Sequence, residues 1–427
     1  MLFFDFKRFS PMTNWKFRAS EVQVKLEELA NYSEVKDALA RPTLSKSHKK
    51  ALEHIQIWMQ EAGMAVVNDH AGNLIGSLKS KIENAPTFLM GSHVDTVSNA
   101  GIYDGNLGII AAISAVELVG SSSSEIPYNI DVIAFSDEEG NRFPDTLTGS
   151  QAVAGTLDPN ALTVSDSEGI TRAEALTSFG CDPALACNSS YLDERPLGYL
   201  EIHIEQGPVL EREDLSVGIV TAINGARRFT ITVGGNAGHA GTVPMSMRAD
   251  ALAASAEMLM AIESIAKSDP GIVATVGMLE VSPGARNVIP GQVKFSLDLR
   301  GENSGSIDTA QASIFSEINN IASTRQVKIE WSQDYKTPPT FCDPSLGELL
   351  EESIRESGVM PFELTSGAGH DAVAIAELCP VSMLFVRCEK GISHHPSEAV
   401  KLDDIAKALE VTHRFLMKFG QTCLRNV

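Results

Sequence analysis

The sequence holds no apolar run near the roughly 18 residues of a membrane span, so a membrane-embedded protein is not expected. Basic residues are scarce: 34 Lys+Arg stand against 55 Asp+Glu, a formal net charge of −21. No basic stripe emerges from that balance, and nucleic acid is excluded as an expected partner. Cysteine is sparse as well. Cys181, Cys187, Cys342, Cys379, Cys388 and Cys423 form no C-x-x-C pair. They are expected as free thiols of a reducing compartment, which makes the cytoplasm the expected location. A secretory leader is not expected either: the apolar patch Leu2, Phe3, Phe4 is short, runs into Asp5 and Lys7, and has no small-residue cleavage site after it. Only 10 histidines occur, so the places where they fall carry information.

What is present is an ordinary globular composition, 43% hydrophobic and 21% charged, on a chain long enough for a sizeable core. Its 427 residues imply two or three domains at roughly 100–200 residues each. From Ser47 to Ala62 the spacing of Ala51, Ile55, Trp58 and Met59 predicts an amphipathic helix. Thr87–Met90 is a short apolar run ending in Gly91, Leu107–Val119 is helical in period, Ser121–Ser124 reads as a surface loop, and Ile130–Phe135 is another apolar strand. Strands alternating with helices predict an α/β layer with a mostly parallel central sheet. The pattern changes near Asn224. Arg228–Val233 alternates, Ser246–Ile265 is helical, Ile272–Leu279 and Gln292–Leu299 are strand-like, Ile307–Ala322 is helical and Val327–Trp331 alternates. That β-α-β-β-α-β order is the one of a ferredoxin-like α+β unit. Helix Ser345–Ser357, strand Val381–Arg387 and helix Leu402–Phe419 then resume the α/β pattern. The expected organisation is an α/β catalytic domain over 20–223 and 335–427, with an inserted domain over 224–334.

Polar clusters repeatedly follow the apolar strands, where an open α/β sheet places its site. They are Gly91-Ser92-His93-Val94-Asp95-Thr96-Val97, Gly101-Ile102-Tyr103-Asp104-Gly105, Ser136-Asp137-Glu138-Glu139-Gly140, Glu201-Ile202-His203-Ile204-Glu205-Gln206-Gly207-Pro208, and Gly391-Ile392-Ser393-His394-His395-Pro396. Each alone has a plain reading: His93 and Asp95 as a surface pair, Asp104-Gly105 as a turn, Glu138-Glu139 as a solvated loop, His394-His395 as an exposed loop. Together in one chain they form the imidazole and carboxylate set that binds zinc, manganese, cobalt or nickel. A carboxylate bridging two metals about 3.5–4 Å apart would screen both charges, and a neighbouring carboxylate could carry a proton.

This set resembles the M20 metallopeptidase superfamily, in particular its amidase branch of hydantoinase/carbamoylase type, over residues of about 40–420. The motifs that carry the resemblance are His93-Val94-Asp95-Thr96, Asp104-Gly105, Asp137-Glu138-Glu139-Gly140 with Arg142-Phe143, Ile202-His203-Ile204-Glu205-Gln206-Gly207-Pro208, Gly238-His239-Ala240-Gly241-Thr242-Val243-Pro244-Met245, Gly367-Ala368-Gly369-His370-Asp371 and Gly391-Ile392-Ser393-His394. The resemblance implies a metal-dependent hydrolase domain plus a ferredoxin-like lid that also makes a homodimer. It implies two divalent ions, zinc or manganese with cobalt or nickel as alternatives. His93 and His203 would bind one, Glu139 and His394 the other, and Asp104 would bridge. His395 competes with His394 for the last place. Glu138 would be the general base, and Asp95 would orient His93 through its free ring nitrogen.

The amidase branch binds a carboxylate next to a ureido group, and the matching positions are Gln206, His239, Asn287, Arg300 and His370. Arg300 could fork a carboxylate, His239 could donate to the oxygen that becomes negative, and Asn287 could offer its amide to the carboxylate. The expected substrate is a linear ureido acid, allantoate first, on the resemblance of Leu384-Phe385-Val386-Arg387-Cys388 to allantoate amidohydrolases. N-carbamoyl-L-amino acids and β-ureidopropionate are the alternatives. An M20 aminopeptidase or dipeptidase is a more remote reading, because the Asp104-Gly105 and His203-Ile204-Glu205-Gln206-Gly207-Pro208 contexts fit the amidase branch. A binding module that kept only the fold is disfavoured by the intact Glu138 and all five presumptive ligands.

Overall fold

The computed structural model describes residues 13–120, 126–188 and 191–425. The apolar patch at Leu2–Phe4 and the serine loop at Ser121–Ser124 lie outside the described residues. The chain divides into two compact units. The first takes the described residues up to Thr221, Cys342–Leu364 and His370 onward; the second takes Ala222–Phe341 with Thr365–Gly369. Among the described residues, no helix is long and apolar enough to cross a membrane.

The first unit is built on a mixed sheet whose strands lie in the order Ala65–Asn68, Leu74–Leu78, Asn129–Phe135, Thr87–His93, Tyr199–Ile204, Val381–Val386, Val217–Ile223. The four central strands pair in parallel, with Leu89 opposite Asp131 and Tyr199, and Phe385 opposite His203. Both flanks are antiparallel, Leu74–Leu78 against Asn129–Phe135 and Val217–Ile223 against Val381–Val386. The expectation of a mostly parallel sheet is therefore corrected to a parallel centre with antiparallel flanks. Of these flanking strands, Ala65–Asn68 and Leu74–Leu78 are short and pair with each other, while Val217–Ile223 is as long as the central strands and takes its direction from Val381–Val386, distant in sequence. The strand expected to end at Gly91 runs on to His93, which brings that histidine into the sheet.

Alternation along the central strands decides where the site lies. Phe88, Met90, Leu200, Ile202, Ile204, Leu384 and Val386 join a core shared with helices Trp15–Leu29, Asn106–Gly120 and Leu402–Arg425. Helix Asn106–Gly120 is apolar on nearly every side and correspondingly buried. Residues His93, Glu201 and His203 take the opposite phase, which turns them to the other face of the sheet.

The second unit is an antiparallel sheet in the order Leu279–Ser282, Gln292–Gly301, Gly225–Gly234, Lys328–Thr337. Helices Ala251–Lys267 and Ser304–Arg325 share a core with its Phe229, Ile231, Val233, Phe295 and Leu297. The segment expected as one strand over Ile272–Leu279 is two. Ile272–Thr275 pairs with the Asp298–Gly301 end of Gln292–Gly301 and Leu279–Ser282 with its other end, while the Met278 amide turns to the Ser296 hydroxyl between them. The helix expected from Ser246 begins at Ala251, because the Asp250 carboxylate caps the amides of Leu252 and Ala253.

Candidate metal centre

The carboxyl ends of the four parallel strands converge on one cluster, the position that an open α/β sheet reserves for its site. His93 ends Thr87–His93, Glu138 and Glu139 follow Asn129–Phe135, His203 lies near the end of Tyr199–Ile204, and His394 lies in the loop after Val381–Val386. Asp104 enters from the turn that starts helix Asn106–Gly120.

Asp104 has two distinct sides. Its Oδ1 lies 3.1 Å from His203 Nε2 and 3.6 Å from His93 Nε2. Its Oδ2 lies 3.1 Å from His394 Nε2, which is also 3.7 Å from Glu139 Oε2. The donor atoms of His93, Asp104 and His203 all lie within 4.8 Å of one another, and so do those of Asp104, Glu139 and His394. The Nε2 atoms of His93 and His203 face each other at 3.4 Å, close enough that one cation could serve both. Glu139 Oε1 is buried and meets no donor among the described residues. Crowded acids, facing imidazoles and an orphaned carboxylate oxygen fit divalent metal by donor chemistry. Among the described residues His395 joins none of these groups, and its Nδ1 accepts the Ser397 amide at 3.1 Å.

The surroundings fix these groups. A Cβ at Gly105, whose φ is +65°, would strike the carbonyl and the ring of His93, so the tight turn beside Asp104 requires glycine. His203 Nδ1 is held by the Ile204 carbonyl at 2.9 Å. Asp95, expected to orient His93, meets its ring through the main chain. His93 Nδ1 meets the Asp95 main-chain carbonyl at 2.9 Å, and the carboxylate stands 4.0 Å away. That carboxylate instead accepts the amides of Glu138 at 3.1 Å and Glu139 at 3.2 Å, aiming both acids. Asp137, in a left-handed conformation with φ 60°, is anchored by Arg172 and by the Thr148 hydroxyl at 2.7 Å.

Electrostatics follow from burial and crowding. Burial raises the Glu138 carboxyl well above the ordinary range, and repulsion from Glu139 and Asp371 adds to this against the pull of His93. Burial, with Asp104 next to it, pushes Glu139 up to about 7. Burial also works against the charge of Asp104, but hydrogen bonds from His203, His394 and His93 prevail and hold it well below the usual carboxylate range. Burial and the neighbouring His203 push His370 well down, favouring its neutral ring.

The other expected residues divide between the units. Gln206 donates to Asp104 Oδ2 at 2.9 Å and to the Ser393 hydroxyl at 3.2 Å, so its amide belongs to the centre itself. The buried His370 ring packs edge-on to His203 with centroids 4.5 Å apart. His239, Asn287 and Arg300 belong to the second unit. There His239 pairs with Val288, and the Asn287 carbonyl accepts the Ala240 amide. The fork of Arg300 engages Asp298 through Nε and Nη2, each at 2.8 Å, while Nη1 donates to the Gly367 carbonyl. Sequence reasoning missed Glu398, which accepts the amides of Tyr103 and Asp104 at 2.9 and 3.1 Å and the Ser393 hydroxyl at 2.8 Å. Its only signal was an acid four residues beyond His394. Glu201, which stood in a polar cluster of the sequence without a role, has a donor atom that groups with those of His203 and His370. The signal there was an acid in a buried strand, in the same phase as His203.

Residues 89–418 match the family model described as peptidase family M20/M25/M40. The chain is 37% identical over 406 residues to an N-carbamoyl-L-amino-acid amidohydrolase from a Pseudomonas strain, covering 93% of this chain and 97% of that one. It is 38% identical over 428 residues to allantoate deiminase 1 of Glycine max, covering 93% and 88% respectively. Among solved structures it is similar to a hydantoinase/carbamoylase family amidase from Burkholderia multivorans, with TM-score 0.89, 30% identity and coverage of 94% and 97%.

Proposed function

The chain belongs to peptidase family M20/M25/M40, and from that membership we propose that it is a dinuclear metal-dependent amidohydrolase of linear ureido acids, with allantoate as its substrate. The observation that carries the reading is the two-sided environment of Asp104, one oxygen toward His93 and His203 and the other toward His394 near Glu139. By this reading His93 and His203 would hold one divalent ion and Glu139 and His394 the other, with Asp104 shared between them. Zinc or manganese suits the donors, with cobalt or nickel as alternatives. Bound there, the ions would lower the pKa of a water and polarise the ureido carbonyl.

The chain's own residues then carry the rest. Glu138 takes the proton of the attacking water and returns it to the leaving nitrogen, a task suited to a carboxyl that burial has raised. Asp95 keeps that carboxyl aimed by holding its amide. For His239 we propose donation to the oxygen that gains charge, and for Gln206, Asn287, Arg300 and His370 recognition of the ureido acid. Asp298 would pre-set Arg300 by gripping one edge of its guanidinium. Water adds across one ureido C–N bond, and the carbamate so released breaks down to ammonia and carbon dioxide. The second unit, as a lid, would also carry a homodimer contact. Its edge strand Lys328–Thr337 is largely exposed and pairs on one side only among the described residues. The six free thiols are consistent with a reducing compartment such as the cytoplasm.

A second reading, hydrolysis of N-carbamoyl-L-amino acids, is favoured by relatives of that name that match at 37% and 39% identity, level with the 38% of the allantoate deiminase. Ammonia release from allantoate, ureidoglycolate, N-carbamoyl-β-alanine and N-carbamoyl-L-amino acids, each with manganese, zinc, cobalt and nickel, separates the two. Allantoate should give the highest kcat/KM. A higher value for a carbamoyl amino acid transfers the assignment to the second reading, and turnover of dipeptides alone contradicts both.

A further inference from the structure

Arg41 is fully buried, and among the described residues no carboxylate lies within ion-pair distance of its guanidinium. Taking an unpaired guanidinium out of water is costly, so its retention needs a reason. The four hydrogen bonds it donates all go to neutral acceptors. Nε reaches the Tyr32 carbonyl at 3.1 Å and Nη2 the Leu29 carbonyl, which ties it to the end of helix Trp15–Leu29. Nη1 reaches the Val94 carbonyl at 3.0 Å and Asn106 Oδ1 at 2.9 Å. Its main chain is tied to the same segment, since the Arg41 amide donates to Thr96 Oγ1 and the Thr96 amide to the Arg41 carbonyl.

Those acceptors bracket the candidate centre. Val94 stands between His93 and Asp95, and Asn106 stands two residues beyond Asp104. With its oxygen occupied by Arg41, the Asn106 side chain turns its Nδ2 to the Asp104 carbonyl at 3.0 Å, and the Asn106 main-chain amide reaches the same carbonyl at 2.7 Å. Glu398 holds the Asp104 amide from the other side. The main chain of Asp104 is thus gripped at both its N–H and its C=O, which fixes the point from which its carboxylate projects.

We infer that Arg41 is a positioning residue for the metal centre, setting Asp104 through Asn106 and His93 through the Val94 carbonyl. It never reaches the centre and acts only through these two contacts. Burial draws its guanidinium down to about 10 while Asp95 pulls the other way, so it remains a cation at neutral pH. The inference rests on the reading of the centre as a divalent-metal site. A lysine at 41 has one nitrogen and cannot span the acceptors on both segments at once.

The test is calorimetric titration of MnCl2 into the chelator-stripped full-length chain for wild type, Arg41→Lys, Asn106→Ala and a packing control, Leu350→Ala, in the core below helix Pro344–Glu356. Arg41→Lys and Asn106→Ala should each bind Mn2+ at least about tenfold more weakly, the usual scale for groups that orient ligands. Leu350→Ala should melt earlier yet bind as wild type does. Should Arg41→Lys fail to fold, Asn106→Ala decides alone, because it breaks the same path at Asp104. Variants that bind within about twofold of wild type, or that lose no more than Leu350→Ala, overturn the inference while leaving the centre intact. A wild-type chain that binds no Mn2+ overturns the centre, and the inference with it.

Discussion

His48 offers a quantitative test of the packing behind the site. Its ring is fully buried and its Nδ1 accepts the Leu44 amide at 2.8 Å, which requires that nitrogen to be unprotonated. The turn it supports is the one whose Thr43 and Leu44 carbonyls hold Arg142, three residues beyond Glu139. Burial first, and the charge of Arg41 second, draw its pKa down from 6.5 to about 3. The unfolded chain takes up a proton below about pH 6.5 and the folded chain does not, so this contribution is complete above pH 6.5 and is lost as the pH falls toward 3. At pH 5 the unfolded imidazole is favoured by a factor of about 30, which is about 2 kcal/mol. That figure barely depends on the folded value as long as it stays well below 5. The assay is urea unfolding of wild type and His48→Asn at pH 8 and pH 5. The asparagine oxygen can still accept the Leu44 amide but does not titrate, and every other ionisable group contributes equally to both proteins. Wild type should lose about 2 kcal/mol more than the variant between the two pH values. Equal losses would refute a buried neutral His48.

Further outcomes bear on the centre and the substrate. Glu138→Gln should keep its metal yet lose at least about 10²-fold in kcat, the scale of general-base loss, and near-wild-type turnover would remove Glu138 from the mechanism. Gly105→Ala should cost about 1–2 kcal/mol for the left-handed backbone alone and, by displacing His93, weaken metal binding as well; an unchanged affinity would contradict the close approach described above. Arg300→Lys should raise KM for the ureido acid by about tenfold or more, since a charge-assisted hydrogen bond is worth about 1.5–3 kcal/mol. An unaltered KM would take the carboxylate away from Arg300.

Much of this was legible in the residues because it is local. The amphipathic spacing of Ala51, Ile55, Trp58 and Met59 gives the observed helix Lys46–Glu61, and the apolar runs before His93 and Glu138 give two of the central strands. The flanking strands Ala65–Asn68, Leu74–Leu78 and Val217–Ile223 were not read, because the place and direction of a strand in a sheet depend on the neighbour it pairs with. The break within Ile272–Leu279 falls at Gly277, a residue that weakens a strand interior, and the two short segments on either side share one strand of the sheet. At the centre, residue types and their places after strands pointed to the cluster. The pairings that shape it, Asp95 with the Glu138 and Glu139 amides, Glu398 with Asp104, and Arg41 with Val94 and Asn106, join segments up to 294 residues apart and leave no periodicity.

The claim on which the rest depends is that the two oxygens of Asp104 face two different cations. Metal titration of the chelator-stripped chain, followed by calorimetry and by elemental analysis, tests it on wild type and Asp104→Ala. The account predicts two ions per wild-type chain, with activity restored as they bind, and loss of both tight sites in the variant. A variant that still takes up two ions with wild-type affinity would contradict it.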